Sequence, residues 1–393
     1  MSGTSHNFLS RGFPASPLRI ICFQAMSISK EENTDSNTFA FTGGGTAGHV
    51  FPVFPVIERV RRAGFNVIWI GSSRGLEKAL VKGADIRYFG VPSGKLRRYF
   101  SFRNFTDLFA IIAGFFASLR ILRREKPLAL ISKGGFVSVP PMAAARFFKI
   151  PILNHESDVD PGLAARLNFK LGARALVSYE KTLGYLSGKS RIGAVVTGNP
   201  IRDELFTGNP KEGRRLAGLT STDERPLILV LGGSQGALEV NNLVTGCLEA
   251  ILDVSAVVHQ TGPGNPTVPD TDGYLSRPFF TTELPHLLAA ADLAIARSGA
   301  GSVWELAATG TPAIFIPLRG ATRGDQLLNA SMAEEAGMSV TLKKGSDSQA
   351  LERIIKDLIS DTRRMQSMGE ATGVYPAREA ADRITEILME YAR

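Results

Sequence analysis

Cysteine is scarce in this chain: Cys22 and Cys247 are the only two among 393 residues. Two cysteines without metal-ligand spacing exclude a disulfide-built scaffold and a cysteine zinc site, and they favour a reducing compartment. Charged residues make up 21% of the chain and hydrophobic residues 44%, which excludes a disordered or fibrous protein. The composition therefore predicts a globular protein, and its length is sufficient for two domains with separate cores.

Long apolar runs are also missing. The longest relevant uncharged run, residues 108–119, has 12 residues, whereas a membrane-spanning helix needs about 20. Residues 1–38 are polar and irregular, and they lack the apolar core and cleavage site of a signal peptide. We interpret them as a disordered leader or as a mis-called start with Met26 as the initiator, and the sequence leaves both interpretations open.

Acidic residues are outnumbered, and the net charge of +8 points to nucleic acid, anionic membrane or phosphorylated ligands. Residues 91–126 alone contain eight basic and two acidic residues. No nucleic-acid-binding signature accompanies this charge, which favours a membrane surface over nucleic acid. Apolar residues in the segment recur at spacings of three and four, which predicts one apolar helical face; a helix buried in a domain core is the alternative. The residues of this face are Leu108, Ile111, Ile112, Phe115, Leu119 and Leu122.

The chain repeats one plan twice: a hydrophobic strand, a glycine-rich turn, a helix and further strand–helix units. Residues 39–41 precede GGGTAGH, and residues 227–231 precede GGSQG. Strands that alternate with helices predict an α/β fold with two Rossmann-like domains. We expect domains at 39–197 and 198–376, and a helix at 377–393 that packs back on the first domain. The other predicted strands are 67–70, 128–132, 151–154, 175–178, 257–260, 293–296 and 313–316.

The glycine turns place backbone N–H groups at helix starts, where they can meet an anion or a hydroxyl. The first turn fits G-x-G-x-x-G through Gly43, Gly45 and Gly48. Nicotinamide enzymes share this pattern, but they need an acidic residue after the second strand. This chain has GSSRG there, at residues 71–75. A sugar-nucleotide site is therefore favoured, with a nicotinamide site and a plain structural turn as alternatives.

Polar side chains follow several predicted strands. Glu305, in the first turns of a helix, is suited to accept hydrogen bonds from two ribose hydroxyls; a glutamate favoured by the helix dipole is the alternative. His49 is neutral enough at pH 7 to accept a proton, unless it only packs or caps. Asp158 and Asp160 are either site residues or caps of the next helix.

The segments GGGTAGH, KGGF, HESD, GNPIR, GGSQG, RSGAGSVWE and RGDQLLNA occur in the order typical of the MurG family. From about residue 39 to the C-terminus the chain resembles this family of inverting glycosyltransferases, which have the GT-B fold. They transfer N-acetylglucosamine from UDP-N-acetylglucosamine to undecaprenyl-pyrophosphoryl-muramyl-pentapeptide. The resemblance implies a hexosyltransferase of peptidoglycan synthesis, cell shape and division, peripheral to the cytoplasmic face of the cell membrane. No cofactor is implied, and without a D-x-D pair at a strand end we expect no required metal.

The resemblance also implies residue roles, with the donor in the second domain. Phe280 and Thr281 would frame the uracil, Glu305 would bind the ribose and Gln326 the sugar. The other donor-binding residues on this basis are Thr46, Ala47, Gly48, Asp158, Arg202, Ser234, Gln235, Ala300, Gly301 and Ser302. The catalytic candidates are His49, Asp158 and Glu156, the acceptor-side residues Phe136 and His155, and the membrane-patch residues Phe105, Phe109, Ile112 and Phe115.

Two positions depart from the family pattern. HESD replaces HEQN, so that Asp158 stands where many members have an asparagine, and TAGH replaces TGGH. The added carboxylate makes Asp158 the alternative base to His49. Three rival functions are a diacylglycerol glycosyltransferase of the same fold, a non-catalytic nucleotide-binding scaffold of cell-wall assembly, and an oxidoreductase. The scaffold should lack His49 and Glu305 together, whereas this chain has both.

Overall fold

A computed structural model of the chain describes residues 37–94, 103–233, 236–319 and 324–392, without the side chains of residues 47 and 103–105. Within these ranges it contains two parallel sheets. The first sheet has the order β3-β2-β1-β4-β5-β6-β7. Its strands are β1 (Thr38–Thr42), β2 (Asn66–Ser72), β3 (Arg87–Val91), β4 (Leu130–Ser132), β5 (Ile152–Glu156), β6 (Arg174–Val177) and β7 (Val195–Val196).

The second sheet repeats this order as β10-β9-β8-β11-β12-β13. Its central strand β8 is buried at every position, which explains its unbroken apolar sequence LILVL. Every strand expected from the sequence is present. The strands are β8 (Leu227–Leu231), β9 (Ala256–Gln260), β10 (Tyr274–Arg277), β11 (Leu293–Ala296), β12 (Ala313–Phe315) and β13 (Ser339–Thr341).

Helices join most consecutive parallel strands, because a parallel pair needs a crossover connection; β9 and β10 are joined by a loop instead. None of the helices in the described ranges is long and apolar enough to cross a bilayer. They are α1 (Phe54–Arg62), α2 (Glu77–Gly83), α3 (Arg103–Glu125), α4 (Val139–Phe147), α5 (Leu163–Lys170), α6 (Lys189–Ile192), α7 (Pro210–Leu216), α8 (Leu238–Thr245), α9 (Leu248–Leu252), α10 (Leu284–Ala290), α11 (Ala300–Ala308), α12 (Asp325–Glu335), α13 (Ser348–Ser360), α14 (Thr362–Ala371) and α15 (Ala380–Met389).

Each sheet reverses its strand order beside its first strand. Strand β1 lies between β2 and β4, and β8 lies between β9 and β11. Ligands of open α/β sheets bind in the crevice at the carboxyl ends of such a strand pair. In the first sheet this crevice is flanked by GGGTAGH and KGGF. In the second sheet it is flanked by Gly232 and Gly233 and by RSGAG.

The last helix, α15, follows the second sheet in sequence but packs in the core of the first. Ile384 and Leu388 are buried in the same apolar cluster as Val53 and Val56. Arg59 of α1 also bonds to Asp382. The chain thus crosses between the sheets twice, near residues 197–203 and again before α15.

Helix α3 lies beside α4 and presents its smallest side chains to the core. Gly114 and Ser118 are buried, and a side chain at Gly114 would collide with the carbonyl oxygen of Pro92. On the opposite side Phe109 is 71% and Phe116 63% exposed. Small residues therefore set the close approach of this helix, and large apolar residues remain outside.

The apolar face predicted for this helix is divided between the core and the surface, because it runs along the border between the two sides. Leu108 and Ile112 are exposed, Leu122 is buried, and Phe115 and Leu119 are half-buried against the core. Phe115, predicted to be part of the membrane patch, thus packs inward, while its neighbour Phe116 faces outward. The side chain of Phe105 lies outside the described residues.

Candidate active site

The first crevice contains an imidazole with a fixed orientation. His49 Nδ1 lies 3.1 Å from the carbonyl oxygen of Gly44 and 3.0 Å from Thr46 Oγ1. Because a carbonyl oxygen only accepts, Nδ1 carries the proton and Nε2 keeps its lone pair. No residue of the described ranges hydrogen-bonds to Nε2. Burial lowers the pKa of His49 to about 4, and the charge of Lys133 adds to the lowering. The imidazole is therefore neutral at pH 7, with an unused acceptor nitrogen.

The KGGF loop after β4 packs against this imidazole. A side chain at Gly135 would come within 3.2 Å of His49 Nδ1, and one at Gly134 within 3.8 Å of Nε2. Gly135 also has φ of +77°, which favours glycine. Phe136, half-buried, packs its ring against Gly45 of the first turn. The ring of Phe136 thus supports the glycine turn.

A buried carboxylate lies under the first glycine turn. Glu77 accepts hydrogen bonds from Gly45 N at 3.2 Å and from Ser72 N at 2.8 Å. The N–H group of Gly45 is therefore not open to an anion, contrary to the sequence-based expectation for this turn. A fixed negative charge here would repel the phosphates of a dinucleotide. This geometry argues against the nicotinamide alternative.

Two of the predicted site residues in HESD are used by the fold itself. His155 is 2% exposed, and its Nε2–H donates to the carbonyl oxygen of Gly198 at 2.8 Å. Glu156 accepts from Asp158 N at 3.1 Å and from Gly162 N at 2.9 Å. His155 therefore anchors the first crossing between the sheets rather than facing the acceptor. Glu156 fixes the loop and the start of α5, because each of its carboxylate oxygens accepts one backbone N–H, and burial raises its pKa to about 7.

Asp158 connects the loop after β5 to the second sheet. Its Oδ1 accepts from Asn329 Nδ2 at 2.9 Å, while Asn329 Oδ1 accepts from Val159 N at 3.3 Å. Asn329 is fully buried and also donates to the carbonyl oxygen of Ser298 at 3.2 Å. Asp158 is thus held at the boundary between the domains, and one of its oxygens is occupied.

The second crevice contains a half-buried ion pair. Arg202, on the first crossing, has Nη2 3.9 Å from Oε1 of Glu305 in α11. Its guanidinium also lies 5.5 Å from the ring centroid of Phe51, which closely follows His49 in sequence. Burial raises the pKa of Glu305, and Arg202 opposes that shift. Arg202 thus contacts elements of both crevices.

Helix α11 begins in the second crevice without a side-chain cap. The residue before it is Gly299, which has no side chain that could cap the helix. The N–H groups at the start of a helix have no partners within the helix. Those of Ala300, Gly301 and Ser302 therefore have no partner within the helix, and they lie shortly after the carboxyl end of β11.

The predicted uracil residues lie at the rim of the second sheet. Phe280 is buried in the core, and its N–H donates to Gln260 Oε1 at 3.0 Å. Thr281 is exposed, but its N–H donates to Glu283 at 3.0 Å. The ring of Phe280 does not face solvent here, so in this conformation its side chain does not present a stacking surface for a base.

The remaining predicted donor residues are partly accessible. Gln326 uses its Oε1 to accept from Leu318 N at 2.8 Å. Thr46 and Gly48 are exposed on the first turn. Ser234 and Gln235 lie outside the described residues, as does the side chain of Ala47.

The described residues contain no group of three or more His, Cys, Asp or Glu side chains suited to a metal. The sequence-based expectation that no D-x-D pair follows a strand needs correction, because Asp158 and Asp160 have this spacing shortly after β5. Asp158 bonds to Asn329 and Asp160 to Arg166.

Two domain matches and close relatives decide the family. The chain matches the N-terminal domain of glycosyltransferase family 28 over residues 39–177 and its C-terminal domain over residues 227–384. A Treponema denticola protein named UDP-N-acetylglucosamine–N-acetylmuramyl-(pentapeptide) pyrophosphoryl-undecaprenol N-acetylglucosamine transferase is 38% identical over 381 residues, covering 89% of this chain and 97% of that protein. A Clostridium kluyveri protein of the same name is 41% identical over 306 residues, covering 77% and 85%. The chain belongs to the MurG family.

Solved structures with the same architecture support the fold assignment. The MurG of Acinetobacter baumannii matches with a TM-score of 0.71 at 22% identity, covering 90% of this chain and 99% of that one. The calicheamicin glycosyltransferase CalG4 matches with a TM-score of 0.66 at 14% identity, covering 90% and 98%. These likenesses confirm the predicted GT-B fold of two Rossmann-like domains facing across a cleft.

Within this MurG-family site, the structure adds residues that were not singled out from the sequence. Glu77 holds the first turn, Asn329 holds Asp158, and Lys133 is buried beside His49. Lys133 and Asn329 belong to the motifs KGGF and RGDQLLNA, but the sequence assigned neither residue a role. Asn329 follows Gln326 by three positions on α12, so a shared helix face was the available signal.

Proposed function

We propose that this protein transfers N-acetylglucosamine from UDP-N-acetylglucosamine to lipid-linked N-acetylmuramyl-pentapeptide, converting lipid I to lipid II in peptidoglycan synthesis. The supporting observation is the geometry of the two crevices. One presents the neutral His49 with an unused Nε2, and the other presents Glu305 beside an uncapped helix start. The names of the Treponema and Clostridium relatives agree with this reaction. For the domains, we propose boundaries at 39–197, 198–376 and 377–393.

His49 is the proposed general base. Its Nε2 removes the proton of the acceptor hydroxyl, and the resulting oxygen attacks the anomeric carbon as the bond to UDP breaks. A single in-line displacement inverts the α-linked donor to a β-linked product. The tautomer required for this step is fixed by the hydrogen bond from Nδ1 to Gly44. A positioned base of this kind usually contributes about 10²–10⁴-fold.

Asp158 is the weaker candidate for the base. One carboxylate oxygen accepts from Asn329, so this side chain already has a structural task between the domains. We assign it to the closing of the cleft on the donor sugar, together with Gln326. A free Asp158 in a more open state remains the alternative, and substitution of each residue separates the two.

The second crevice is the proposed donor site. Glu305 accepts from the ribose hydroxyls, and Arg202 then turns its charge to the diphosphate. The N–H groups that begin α11 stabilise the negative charge on the departing UDP. Phe280 and Thr281 would frame the uracil after a local rearrangement, because the ring of Phe280 is buried in the present conformation.

A membrane-facing surface is proposed on α3, at the cytoplasmic face of the cell membrane. Leu108, Phe109, Ile112 and Phe116 are exposed on this helix, and Arg120, Arg123 and Arg124 follow them. Apolar side chains flanked by arginine suit an interface with anionic lipid. We propose no nucleic-acid partner, no cofactor and no required metal.

The direct test is incubation of the full chain with labelled UDP-N-acetylglucosamine and lipid-linked muramyl-pentapeptide. The proposal predicts label in the lipid product and release of UDP, with a β-linkage in the product. A diacylglycerol acceptor in a parallel reaction tests the nearest rival. Transfer to diacylglycerol without transfer to the muramyl lipid would refute the proposed acceptor, and a nicotinamide-dependent absorbance change would support the oxidoreductase.

A further inference from the structure

A buried lysine in the first crevice has no task in the mechanism proposed above. Lys133 directly follows β4 and is only 5% exposed. Its ammonium donates to Ser157 Oγ, and that hydroxyl donates in turn to Asn199 Oδ1 at 2.8 Å. Within the described part of the chain, no carboxylate forms a salt bridge with Lys133. One hydroxyl partner leaves this ammonium with two unused N–H donors.

Four titratable groups interact electrostatically with this ammonium: His49, His155, Glu156 and Asp158. The two carboxylates already accept hydrogen bonds elsewhere, Glu156 from backbone N–H groups and Asp158 from Asn329. They attract the ammonium electrostatically without pairing with it. Removing a cation from water is costly. A buried charge that is neither paired nor fully hydrogen-bonded is therefore a candidate for a functional task.

We propose, on the basis of the transfer reaction above, that Lys133 is a positioning residue for the base. Through Ser157 and Asn199 its ammonium joins the KGGF loop to the loop after β5 and to the first crossing between the domains. It also fixes a positive charge beside the imidazole of His49.

Both parts of this role act on His49. The hydrogen bonds from Lys133 to Ser157 and from Ser157 to Asn199 hold the KGGF loop, so that Gly134 and Gly135 stay against the imidazole. A positive charge nearby opposes protonation of the ring, and it lowers the pKa of His49 together with burial, while Asp158 opposes the lowering. Burial lowers the pKa of Lys133 itself, but Glu156 and Asp158 oppose that shift and favour its charged form.

The test is the pH profile of kcat/KM for acceptor transfer at saturating UDP-N-acetylglucosamine, using the full chain. Lys133→Met removes the charge, so the acidic limb of the profile should move to higher pH by about one unit or more. Lys133→Arg keeps the charge, and its limb should stay near that of the wild type. Lys170→Met, at an exposed lysine of the same domain, is the matched control and should leave the profile unchanged.

A second measurement keeps the proposal testable without turnover. The chain has five histidines, so the imidazole signals of a histidine-labelled sample can be titrated by NMR, with His49→Ala assigning one of them. The His49 signal should titrate at higher pH in Lys133→Met than in the wild type. Ser157→Ala removes the two hydrogen bonds of the serine hydroxyl but keeps the charge of Lys133. Turnover should therefore fall several-fold while the His49 pKa stays nearly constant. Removing one member of a buried group of charges destabilises a protein when the other members stay uncompensated, so thermal unfolding checks that Lys133→Met is folded before its profile is compared.

Two outcomes would overturn the inference. One is a Lys133→Met enzyme with an unshifted acidic limb and an unshifted His49 signal. The other is a Lys133→Arg enzyme whose limb moves as far as that of Lys133→Met, since this would mean that shape rather than charge matters. A wild-type protein that transfers no sugar would instead refute the proposed function, and the NMR titration would still decide the effect of Lys133 on His49.

Discussion

The two sheets share one strand order, but their crevices contain different side chains. Around the first crevice lie His49, Lys133, Glu156 and Asp158, with Glu77 beneath the glycine turn. Among its described residues the second has two ion pairs, Arg202–Glu305 and Arg297–Glu239, and a helix start without a side-chain cap. The topology forms an equivalent crevice in each sheet, and the side chains determine what each crevice can do. A neutral imidazole with an unused acceptor nitrogen suits proton transfer, whereas free N–H groups at a helix start suit the phosphates of a nucleotide.

The largest effect is expected in the first crevice. His49→Ala removes the proposed base, and a positioned base contributes about 10²–10⁴-fold, so turnover at saturating substrates should fall at least about a hundredfold. Asp158→Asn, measured in parallel, should lose less, because the new amide can still bond to Asn329. A His49→Ala enzyme with most of its turnover, beside an inactive Asp158→Asn enzyme, would reverse these roles.

The next largest effect is expected in the second crevice. Glu305→Ala removes a charged acceptor of ribose hydroxyls, and hydrogen bonds to charged groups contribute about 1.5–3 kcal/mol each. The affinity for UDP should therefore fall at least about tenfold, as measured by calorimetry. Glu335→Ala, at an exposed glutamate near the end of α12, is the matched control and should leave UDP affinity unchanged. Unchanged affinity in a folded Glu305→Ala protein would remove the nucleotide assignment.

The pH dependence of the wild type sharpens the contrast. Burial lowers the pKa of His49 from 6.5 to about 4, so the ring stays neutral as the pH falls from 7 to about 5. The kcat/KM for the acceptor should be lost only as the pH falls further, through the folded-state pKa. Circular dichroism at each pH separates this loss from unfolding. An acidic limb near 6.5 in a folded enzyme would mean that the imidazole is not desolvated in the active state.

The smallest effect is expected on the outer surface of α3. Phe109→Ser and Phe116→Ser remove exposed aromatic rings, and fully burying such a side chain contributes about 1.5–3 kcal/mol. Binding to vesicles with anionic lipid should weaken on the order of tenfold for each, with thermal stability retained. Phe115→Ser is the matched control, because this ring packs against the core and its loss should lower stability instead. Equal vesicle binding by all three variants would remove the membrane assignment for this helix.

The sequence predicted the central strands of both sheets and missed the edges. β3 and β7 flank the first sheet and β10 and β13 flank the second, and none of the four was predicted. Edge strands are covered less completely, so they lack the continuous apolar run of a central parallel strand. β3, for example, is exposed at Arg87 and Gly90 and buried only at Val91. Local sequence cannot show which mixed segments a sheet will recruit at its ends.

The sequence indicated where several candidate residues lie, but not which partners they bond. GGGTAGH and HESD do lie at the carboxyl ends of strands, and Glu305 lies in the helix that follows β11. The tasks of His155 and Glu156 depend on partners far away or across a turn, such as Gly198 and Gly162. Such pairings arise from tertiary packing, which periodicity does not encode. For the same reason Lys133 could be seen in the sequence but not recognised as buried.

The separate roles of the two crevices are tested most directly by two measurements on one variant from each crevice. UDP affinity and turnover at saturating substrates are measured for His49→Ala and for Glu305→Ala. We expect His49→Ala to keep UDP affinity near that of the wild type and to lose turnover, whereas Glu305→Ala should lose UDP affinity. If His49→Ala lost UDP affinity as strongly as Glu305→Ala, the two crevices would not have separate roles.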